Sequence, residues 1–304
     1  MASSQNANRI LQMAFAGAMA DTVPRFGRVG RIVSAPGVQS FKVGDGAFGG
    51  TAATMSRTAT SVSLSDWFTF EASHTMAHKV IKHQVPVDTV KSDYALETAG
   101  RQMAEAAVSL IDKEGFDAME ALFSLAHPRA GGGAGQVGAG KKFLDTGLAF
   151  LQGEAGAGTQ DNLLTAALSE SSLNSAIKLL LAYRHDRGRP LHIGTSGGLK
   201  LVVDPFNAQV AHELVTSMLS GADNASNFIK GLIDDIIVYP FTTDADDWFL
   251  VDGKNPPIGL AIASEPTARI STTTDGLFAE LVAEVSLVSW TSPYEPGIVG
   301  SNVA

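Results

Sequence analysis

Three short patterns in the chain combine residue types that carry out chemistry in enzymes. Residues 194–198 read Gly-Thr-Ser-Gly-Gly, which fits the G-x-S-x-G pattern of a serine nucleophile. That chemistry needs a strand, a tight turn and then a helix, so that the serine hydroxyl projects beside a backbone N–H. Residues 199–203 instead read Leu-Lys-Leu-Val-Val, which is typical of a strand. The pattern therefore disfavours a serine hydrolase, and Ser196 is kept only as an alternative nucleophile.

The second pattern, residues 135–141, nearly matches a phosphate-binding loop, in which glycines and a lysine surround nucleotide phosphates. Lys142 occupies the position where a hydroxyl is needed to hold magnesium. A helical segment and Pro128 precede the loop, whereas a phosphate-binding loop follows a strand. We interpret this stretch as a surface loop and not as a nucleotide site.

The third pattern is a set of histidines, His74, His78 and His83, in a strand-like stretch. A metal ion needs converging ligands. His74 and His78 lie two pleats apart on a strand, and no carboxylate stands at a useful spacing. The chain has 0 cysteines, which excludes thiolate ligands and disulfides. We therefore predict ordinary strand histidines, with no metal and no cofactor.

The composition is that of a globular protein with a small charged fraction. The chain has 304 residues, of which 45% are hydrophobic and 17% charged, and its net charge is −9. This acidic balance argues against a dedicated nucleic-acid-binding protein, which needs a basic surplus. No window of about 18 apolar residues exists, so no membrane span is predicted. A surface with few charges suits burial against copies of the same chain, although compositional bias of the genome explains it equally well.

A long amphipathic helix is the strongest structural signal, and the other elements are organised around it. Apolar residues recur at helical spacing between Asp88, which is expected to cap the first turn, and Glu114. Such a helix is about 40 Å long at about 1.5 Å per residue. Gly115 is expected to end it, with a second helical piece over 116–126. Gly100 interrupts the pattern once.

Residues 1–20 are predicted to form an amphipathic helix, because Leu11, Phe15 and Met19 fall on one face. The same run resembles a secretion signal, but Gln12 interrupts its short apolar stretch. An N-terminal helix is therefore preferred over export.

Residues 22–44, which we call the basic arm, contain no acidic side chain. Their basic residues are Arg25, Arg28, Arg31 and Lys42. Both a solvated loop and an arm that faces phosphate or an acidic neighbour fit this pattern.

Residues 41–85 are rich in Gly, Ser, Thr and Val, and we predict two long β-strands around a Gly-rich turn at 44–50 or beyond. A two-stranded ribbon is only marginally stable alone in water. We therefore expect the ribbon to pack against another surface, such as that of another subunit.

The second half of the chain mixes helices and strands. Helices are expected over 161–184 and 205–219, and strands over 191–203, 232–239, 248–251, 258–263 and 278–290. No repeat of fixed period is present.

Several short segments follow one another in a recognisable order. They are 115–117, 127–128, 189–191, 199–205, 236–238, 248–250 and 258–263. Their order and spacing, together with the arm, the ribbon and the long helix, resemble the tailed-phage major capsid proteins of the Hong Kong 97 fold. The pattern looks closest to the phage Mu-type major head subunit and spans roughly 90–265.

The resemblance implies an α+β fold with an N-arm, an extended β-ribbon loop, a peripheral domain with a long spine helix, and a mixed α/β axial domain. The implied ranges are 1–40 for the N-terminal arm, 41–85 for the extended loop, 86–159 and 266–304 for the peripheral domain, and 160–265 for the axial domain.

The implied function is that of a non-enzymatic major capsid protein. It self-assembles as hexamers and pentamers into an icosahedral shell around double-stranded DNA, which it contacts non-specifically. Further implied partners are a separate scaffolding protein, a portal and a decoration protein, and no membrane. The implied location is the virion capsid, assembled in the host cytoplasm.

The resemblance also assigns roles to particular residues. Inter-subunit contacts are expected from Phe48, Arg57 and Trp67 of the extended loop. An inner-face position near DNA is expected for Arg25, Arg28 and Arg31. Gly100 is expected to act as a hinge of the spine helix.

The chain departs from the type member of the family in two respects. Residues 43–67 contain no lysine, so a Lys–Asn crosslink from the loop is not expected. No long charged helical stretch precedes residue 40, which favours a separate scaffolding protein. The alternatives are an encapsulin-type compartment shell, a tail-tube or other virion protein, and an enzyme that uses Ser196 or Lys141.

Overall fold

The computed structural model describes most of the chain. The described residues are 4–48, 67–131, 137–149, 159–184, 191, 193–194, 197–217, 229–240, 244, 246–272, 278–292 and 297–302. The helices are α1 (Ser4–Asp21), α2 (Asp93–Ala121), α3 (Glu170–Ala182) and α4 (Ala208–Thr216). The strands are β1 (Arg31–Ser34), β2 (Ser40–Phe48), β3 (Trp67–Thr75), β4 (Ala77–Pro86), β5 (Leu148–Ala149), β6 (Thr159–Gln160), β7 (Leu163–Leu164), β8 (Leu199–Val203), β9 (Ile233–Val238), β10 (Trp248–Asp252), β11 (Ile258–Thr272), β12 (Phe278–Thr291) and β13 (Ile298–Ser301).

The chain forms two compact units, each assembled from separate stretches of sequence. The first comprises Met1–Phe41, Ser73–Phe116 and Gly259–Trp290. The second comprises Lys42–Ala72, Asp117–Ile258 and Thr291–Ala304.

The first unit packs α1 and α2 against a four-stranded sheet. The strand order is β1-β11-β12-β4, with β1 parallel to β11 and β4 antiparallel to β12. Its core joins side chains of both helices and three of these strands: Leu11, Phe15, Val85, Met103, Ala104, Ala107, Ala268, Ala279, Leu281 and Ala283. The predicted N-terminal helix is confirmed, since Leu11 and Phe15 are buried and Met19 packs against them.

The second unit is built around a five-stranded sheet in the order β7-β13-β10-β8-β9. The central strand β10 is antiparallel to both β8 and β13, and all of its residues are buried. Helix α3 begins after Ser169, whose side chain accepts the Ser172 N–H in a capping box. Strands β9 and β10 confirm the strands predicted over 232–239 and 248–251.

Helix α2 is one continuous element of 29 residues, which differs from the prediction at both ends. Asp88 does not cap it, because its carboxylate pairs with Lys91 Nζ at 2.6 Å. Ser92 lies before the first turn instead, and its hydroxyl accepts the Ala95 N–H at 3.4 Å. Gly115 does not end the helix either, and the reason lies in its surroundings.

Gly115 leaves room for an aromatic ring and not for a turn. A Cβ atom placed there would lie 2.3 Å from the ring of Phe26. A Cβ atom at Gly30 would lie equally close, 2.3 Å, to the opposite end of the same ring. Carbon atoms attract each other at about 3.5–4.0 Å and repel strongly at much shorter range. Both positions must therefore be glycine if Phe26 is to occupy this place.

Two other boundaries differ from the prediction for local reasons. The strand expected over 191–203 is reduced to β8, because Gly194, Gly197 and Gly198 have φ angles of 73°, 75° and 92° that interrupt an extended backbone. The helix expected from residue 161 begins only at Glu170, since β7 pairs in parallel with β13 just before it.

We predict that Gly115→Ala destabilises the folded chain, whereas Gly17→Ala stabilises it. Both glycines lie in helices, but nothing stands within 4 Å of a Cβ atom at Gly17. Forcing a methyl group against the buried Phe26 ring costs about 1–3 kcal/mol, while the open helical site gains up to about 1 kcal/mol. Urea unfolding followed by circular dichroism measures both values. Equal stabilisation of the two variants would contradict the packing role of Gly115.

Candidate assembly surfaces

The basic arm is fixed to α2 by one aromatic ring and one carboxylate. The Phe26 side chain is fully buried in the 3₁₀ turn Arg25–Arg28, and its ring meets Phe116 edge-on with 5.5 Å between centroids. The Phe26 N–H donates to Oδ1 of Asp112 at 2.9 Å. Burial raises the pKa of Asp112, while hydrogen bonds from the Phe26 and Arg25 N–H groups and the Arg25 charge act in the opposite direction.

This anchor positions the arginines that the sequence singled out. Arg25, Arg28 and Arg31 are all exposed. Arg25 and Arg28 stand three residues apart in a 3₁₀ turn, so they project from the same side. Arg31 begins β1, which is an edge strand of its sheet and pairs with β11 at Gly259. Their approach to DNA stays a prediction.

The ribbon lies where the sequence placed it, with one difference. β2 and β3 pair with each other and, among the described strands, with no third partner. Phe48 ends β2 and Trp67 begins β3, whereas Arg57 lies outside the described residues. β2 ends at Phe48, and the segment that joins it to β3 lies outside the described residues, which is compatible with a turn at 44–50 or beyond. The part of the predicted loop that becomes β4 pairs instead with β12, because its apolar residues complete the core of the first unit.

Gly100 is buried inside the uninterrupted helix α2, where α1 crosses it. A Cβ atom there would lie 2.9 Å from both the Ala14 Cβ atom and the Leu11 carbonyl oxygen. The glycine therefore permits close approach of the two helices, and its role as a hinge stays a prediction. Beside this crossing lies a groove of about 530 Å³, lined by Ile10, Met13, Ala14, Gly17, Ala18, Asp21, Thr22, Glu97, Arg101 and Glu105.

The sequence patterns that resemble enzyme motifs do not form active sites within the described residues. Gly197 and Gly198 lead into strand β8, and not into the helix that a nucleophile elbow needs, while Ser196 lies outside the described residues. Lys141 donates from Nζ to the Thr146 carbonyl oxygen and to Oδ1 of Asp145. These bonds tie the lysine into its own loop.

The next feature is the set of histidines, of which His78 contacts polar side chains of strand β12 and His74 is partly buried. The Nδ1 atom of His78 lies 3.0 Å from the Ser286 hydroxyl, and its Nε2 atom lies 3.9 Å from a Glu284 oxygen. Burial lowers the pKa of His74. Within the described ranges, no group of three or more His, Asp or Glu side chains is arranged to hold a metal ion. None of the described helices is long and apolar enough to cross a lipid bilayer.

Sequence reasoning missed an acidic cluster where α2 ends, formed by Glu120, Asp244, Asp246 and Asp247. Asp247 is 1% exposed, and neither of its carboxylate oxygens accepts a hydrogen bond from any described residue. Burial, followed by repulsion from Asp244, Glu120 and Asp246, raises the pKa of Asp247 to about 7. The run of acids before Trp248 was the available signal, but it reads equally well as a solvated turn.

We predict that this carboxyl makes stability fall with rising pH. A carboxyl whose pKa is higher in the folded chain than in the unfolded chain opposes folding once it ionises. The free energy of unfolding should therefore fall between about pH 4 and pH 7, by up to about 4 kcal/mol, and stay level above. Asp247→Asn should remove this slope in urea titrations.

Asp88→Asn serves as the matched control, because the Lys91 contact lowers the pKa of that exposed carboxyl and its titration falls below this range. The control should keep the slope of the unchanged chain. If Asp247→Asn unfolds with the same dependence on pH as the unchanged chain, the assignment of the slope to Asp247 is wrong.

Known structures identify this architecture. No family model matches the chain, and no curated protein matches it in sequence. The mature capsid of bacteriophage PhiM1 is 11% identical, with a TM-score of 0.55 over 92% of this chain and 86% of that chain. The capsid of a native GTA particle is 12% identical, with a TM-score of 0.55 over 93% and 91%.

A third solved structure, the capsid of cyanophage P-SCSP1u, is 10% identical, with a TM-score of 0.54 over 92% of this chain and 88% of that chain. The likeness to these capsids extends over nearly the whole of each chain and is a likeness of fold. The nearer resemblance to the phage Mu-type subunit stays a prediction. The chain therefore has the α+β fold of tailed-phage major capsid proteins, the Hong Kong 97 fold.

Proposed function

We propose that the chain is a major capsid protein that assembles as hexamers and pentamers into an icosahedral shell around double-stranded DNA. The observation that carries this proposal is the match to a mature phage capsid over 92% of this chain and 86% of that chain. The protein acts as a structural subunit, and its location is the virion capsid after assembly in the host cytoplasm.

The ribbon supports a role that requires copies of the chain. β2 and β3 form a sheet of their own, whereas an isolated two-stranded ribbon is marginal in water. Packing on an adjacent subunit supplies the missing apolar contacts. Identical subunits make such head-to-tail contacts and close into rings when the rotation between them permits it. Phe48, Arg57 and Trp67 are the proposed contacts.

The domain roles follow from the same proposal. Residues 1–40 act as the N-terminal arm and 41–85 as the extended loop. The spine helix with the returning strands acts as the peripheral domain (86–159 and 266–304), and 160–265 acts as the axial domain. Exposed arginines of the basic arm face DNA or an acidic neighbour.

The partners include a separate scaffolding protein, a portal and a decoration protein. An encapsulin-type compartment shell is the alternative within the fold, and it differs in what the particle contains. The enzymatic alternatives are weakened by the internal bonds of Lys141 and by the strand that follows Gly198.

We expect the full chain, expressed alone or with its scaffolding protein, to form closed shells of uniform size in negative-stain microscopy. Particles from infected or induced cells should contain nuclease-protected double-stranded DNA. Protein cargo without DNA would favour the compartment shell, and rods would favour a tail tube. A small oligomer with esterase activity that Ser196→Ala abolishes would overturn the structural role.

We also predict that the ribbon tip is needed for assembly and not for folding of the subunit. Replacing residues 49–66 with a four-residue Gly/Ser turn leaves the strands β2 and β3 in place. The variant should unfold within about 1 kcal/mol of the unchanged chain, because no described core residue is removed. Its yield of shells in sucrose gradients should fall at least tenfold.

Ser196→Ala is the control for this experiment, since it is far in sequence from residues 40–75 and removes only a hydroxyl group. Control subunits should assemble like the unchanged chain. Normal shells from the shortened variant, or its failure to fold, would contradict the proposed role of the tip.

A further inference from the structure

We propose that the acidic cluster receives a basic side chain from a neighbouring copy of the chain, and that Asp247 gives up its proton when this contact forms. The cluster consists of Glu120, Asp244, Asp246 and Asp247, as defined above. This inference rests on the proposed function, because it requires subunits that pack against each other. It assigns a partner and a proton balance to a surface that the fold alone leaves unexplained.

The first argument is the state of Asp247. Its side chain is 1% exposed, yet within the described part of the chain neither carboxylate oxygen has a hydrogen-bond partner. Buried polar groups are paired in the great majority of folded proteins, because an unpaired one loses its bonds to water without replacement. Such a carboxyl is stable in the free subunit when it carries a proton. A positive charge that arrives nearby stabilises the anion and favours loss of the proton.

The second argument is that the charges known to act on Asp247 have the same sign. Asp244, Glu120 and Asp246 all raise its pKa, and no basic group among the described residues is found to counteract them. Glu120 lies near the C-terminal end of α2, and the last turn of that helix contains no basic residue. Helix C-termini carry a partial negative charge, so they add to the acidic potential.

Two polar side chains at the neighbouring strand ends already have hydrogen-bond partners. Trp248 is paired with Val203 of β8 and with Ser301 of β13, so residues at these strand ends lie beside Asp247. Asp204, which follows Val203, accepts the Phe206 N–H at 2.9 Å. The Ser301 hydroxyl donates to the Ala166 carbonyl oxygen at 2.8 Å. Neither group supplies a proton to the Asp247 carboxylate.

The geometry selects a basic side chain over a metal ion. The described carboxylates are not arranged as three ligands of one ion. Asp246 is exposed and Asp244 is partly exposed, so they form the side of the cluster that an approaching guanidinium can reach. Hydrogen bonds between guanidinium and carboxylate groups are charge-assisted and stronger than neutral ones.

The neighbouring copy offers groups of the required charge. Residues 22–44 contain no acid, and Arg28 and Arg31 of this basic arm are exposed. We assign the arm of the neighbour as the donor, on the basis of this charge complementarity. A head-to-tail contact of this kind joins two different surfaces of identical subunits, as a closed ring requires.

The contact links assembly to pH in a defined direction. Below pH 7 the free subunit carries a proton on Asp247, and the assembled subunit does not. Each subunit then releases one proton as it joins the shell. By linkage, a rise in pH favours assembly. Below the raised pKa of Asp247, the concentration of free subunit in equilibrium with shells should fall about tenfold for each unit by which the pH rises.

The experiment measures this concentration by sedimentation of the full chain between pH 5.5 and pH 8.5. For the unchanged chain we expect about a tenfold fall between pH 5.5 and pH 6.5 and little change above pH 7.5. Asp247→Asn should vary by less than about twofold over the same range, after titration common to all variants is subtracted. Asp88→Asn, which removes an exposed acid elsewhere, provides that correction.

Two further variants test the donor. Arg28→Gln/Arg31→Gln subunits should lose the slope, whereas Arg101→Gln, an arginine on α2 outside the arm, should keep it. An unaltered slope in the double variant would overturn the arm as donor. If EDTA dissolves the shells and also abolishes the dependence of the free-subunit concentration on pH, a metal ion occupies the cluster in place of the basic group. That result would overturn the proposal.

The outcomes also separate this inference from the function on which it rests. Shells that form with the same pH dependence in Asp247→Asn and in the unchanged chain would overturn the inference and leave the capsid function intact. Absence of shells at every pH, from the unchanged chain, would overturn the proposed function and the inference with it.

Discussion

The placement of one aromatic ring constrains the first unit of this protein. Phe26 occupies space that side chains at Gly30 and Gly115 would fill, and its backbone N–H is held by the buried Asp112. The contact fixes the start of the basic arm on the long helix, and β1 then joins the sheet only a few residues later. A bulkier residue at either glycine would displace the ring. The direction in which the arm leaves the helix would then change as well.

A second constraint is electrostatic and concerns the second unit. Four acids meet where α2 ends, and one of them is buried without a donor among the described residues, in a chain whose overall charge is −9. Burial of one unpaired carboxyl costs stability in the free chain and makes the same surface selective for a positive partner.

Much of the fold could be predicted from the sequence because periodicity reports burial. Leu11 and Phe15 recur at helical spacing and are buried, and the strands around Trp248 and Ile237 were placed correctly. Boundaries failed where a residue serves a distant partner, as Gly115 does for Phe26. The acidic cluster was missed because Glu120 and Asp247 are far apart in the chain, and only the fold brings their charges together.

The pairing of β4 with β12 has a consequence for synthesis of the protein. Ala77 pairs with Leu287, so this sheet cannot close until nearly the whole polypeptide has left the ribosome. At about 5–20 residues per second, the earlier strands wait for tens of seconds with unpaired edges. Contacts so distant in sequence also slow folding itself. The time between synthesis of β4 and synthesis of β12 therefore adds to the time that the chain needs to reach its folded state.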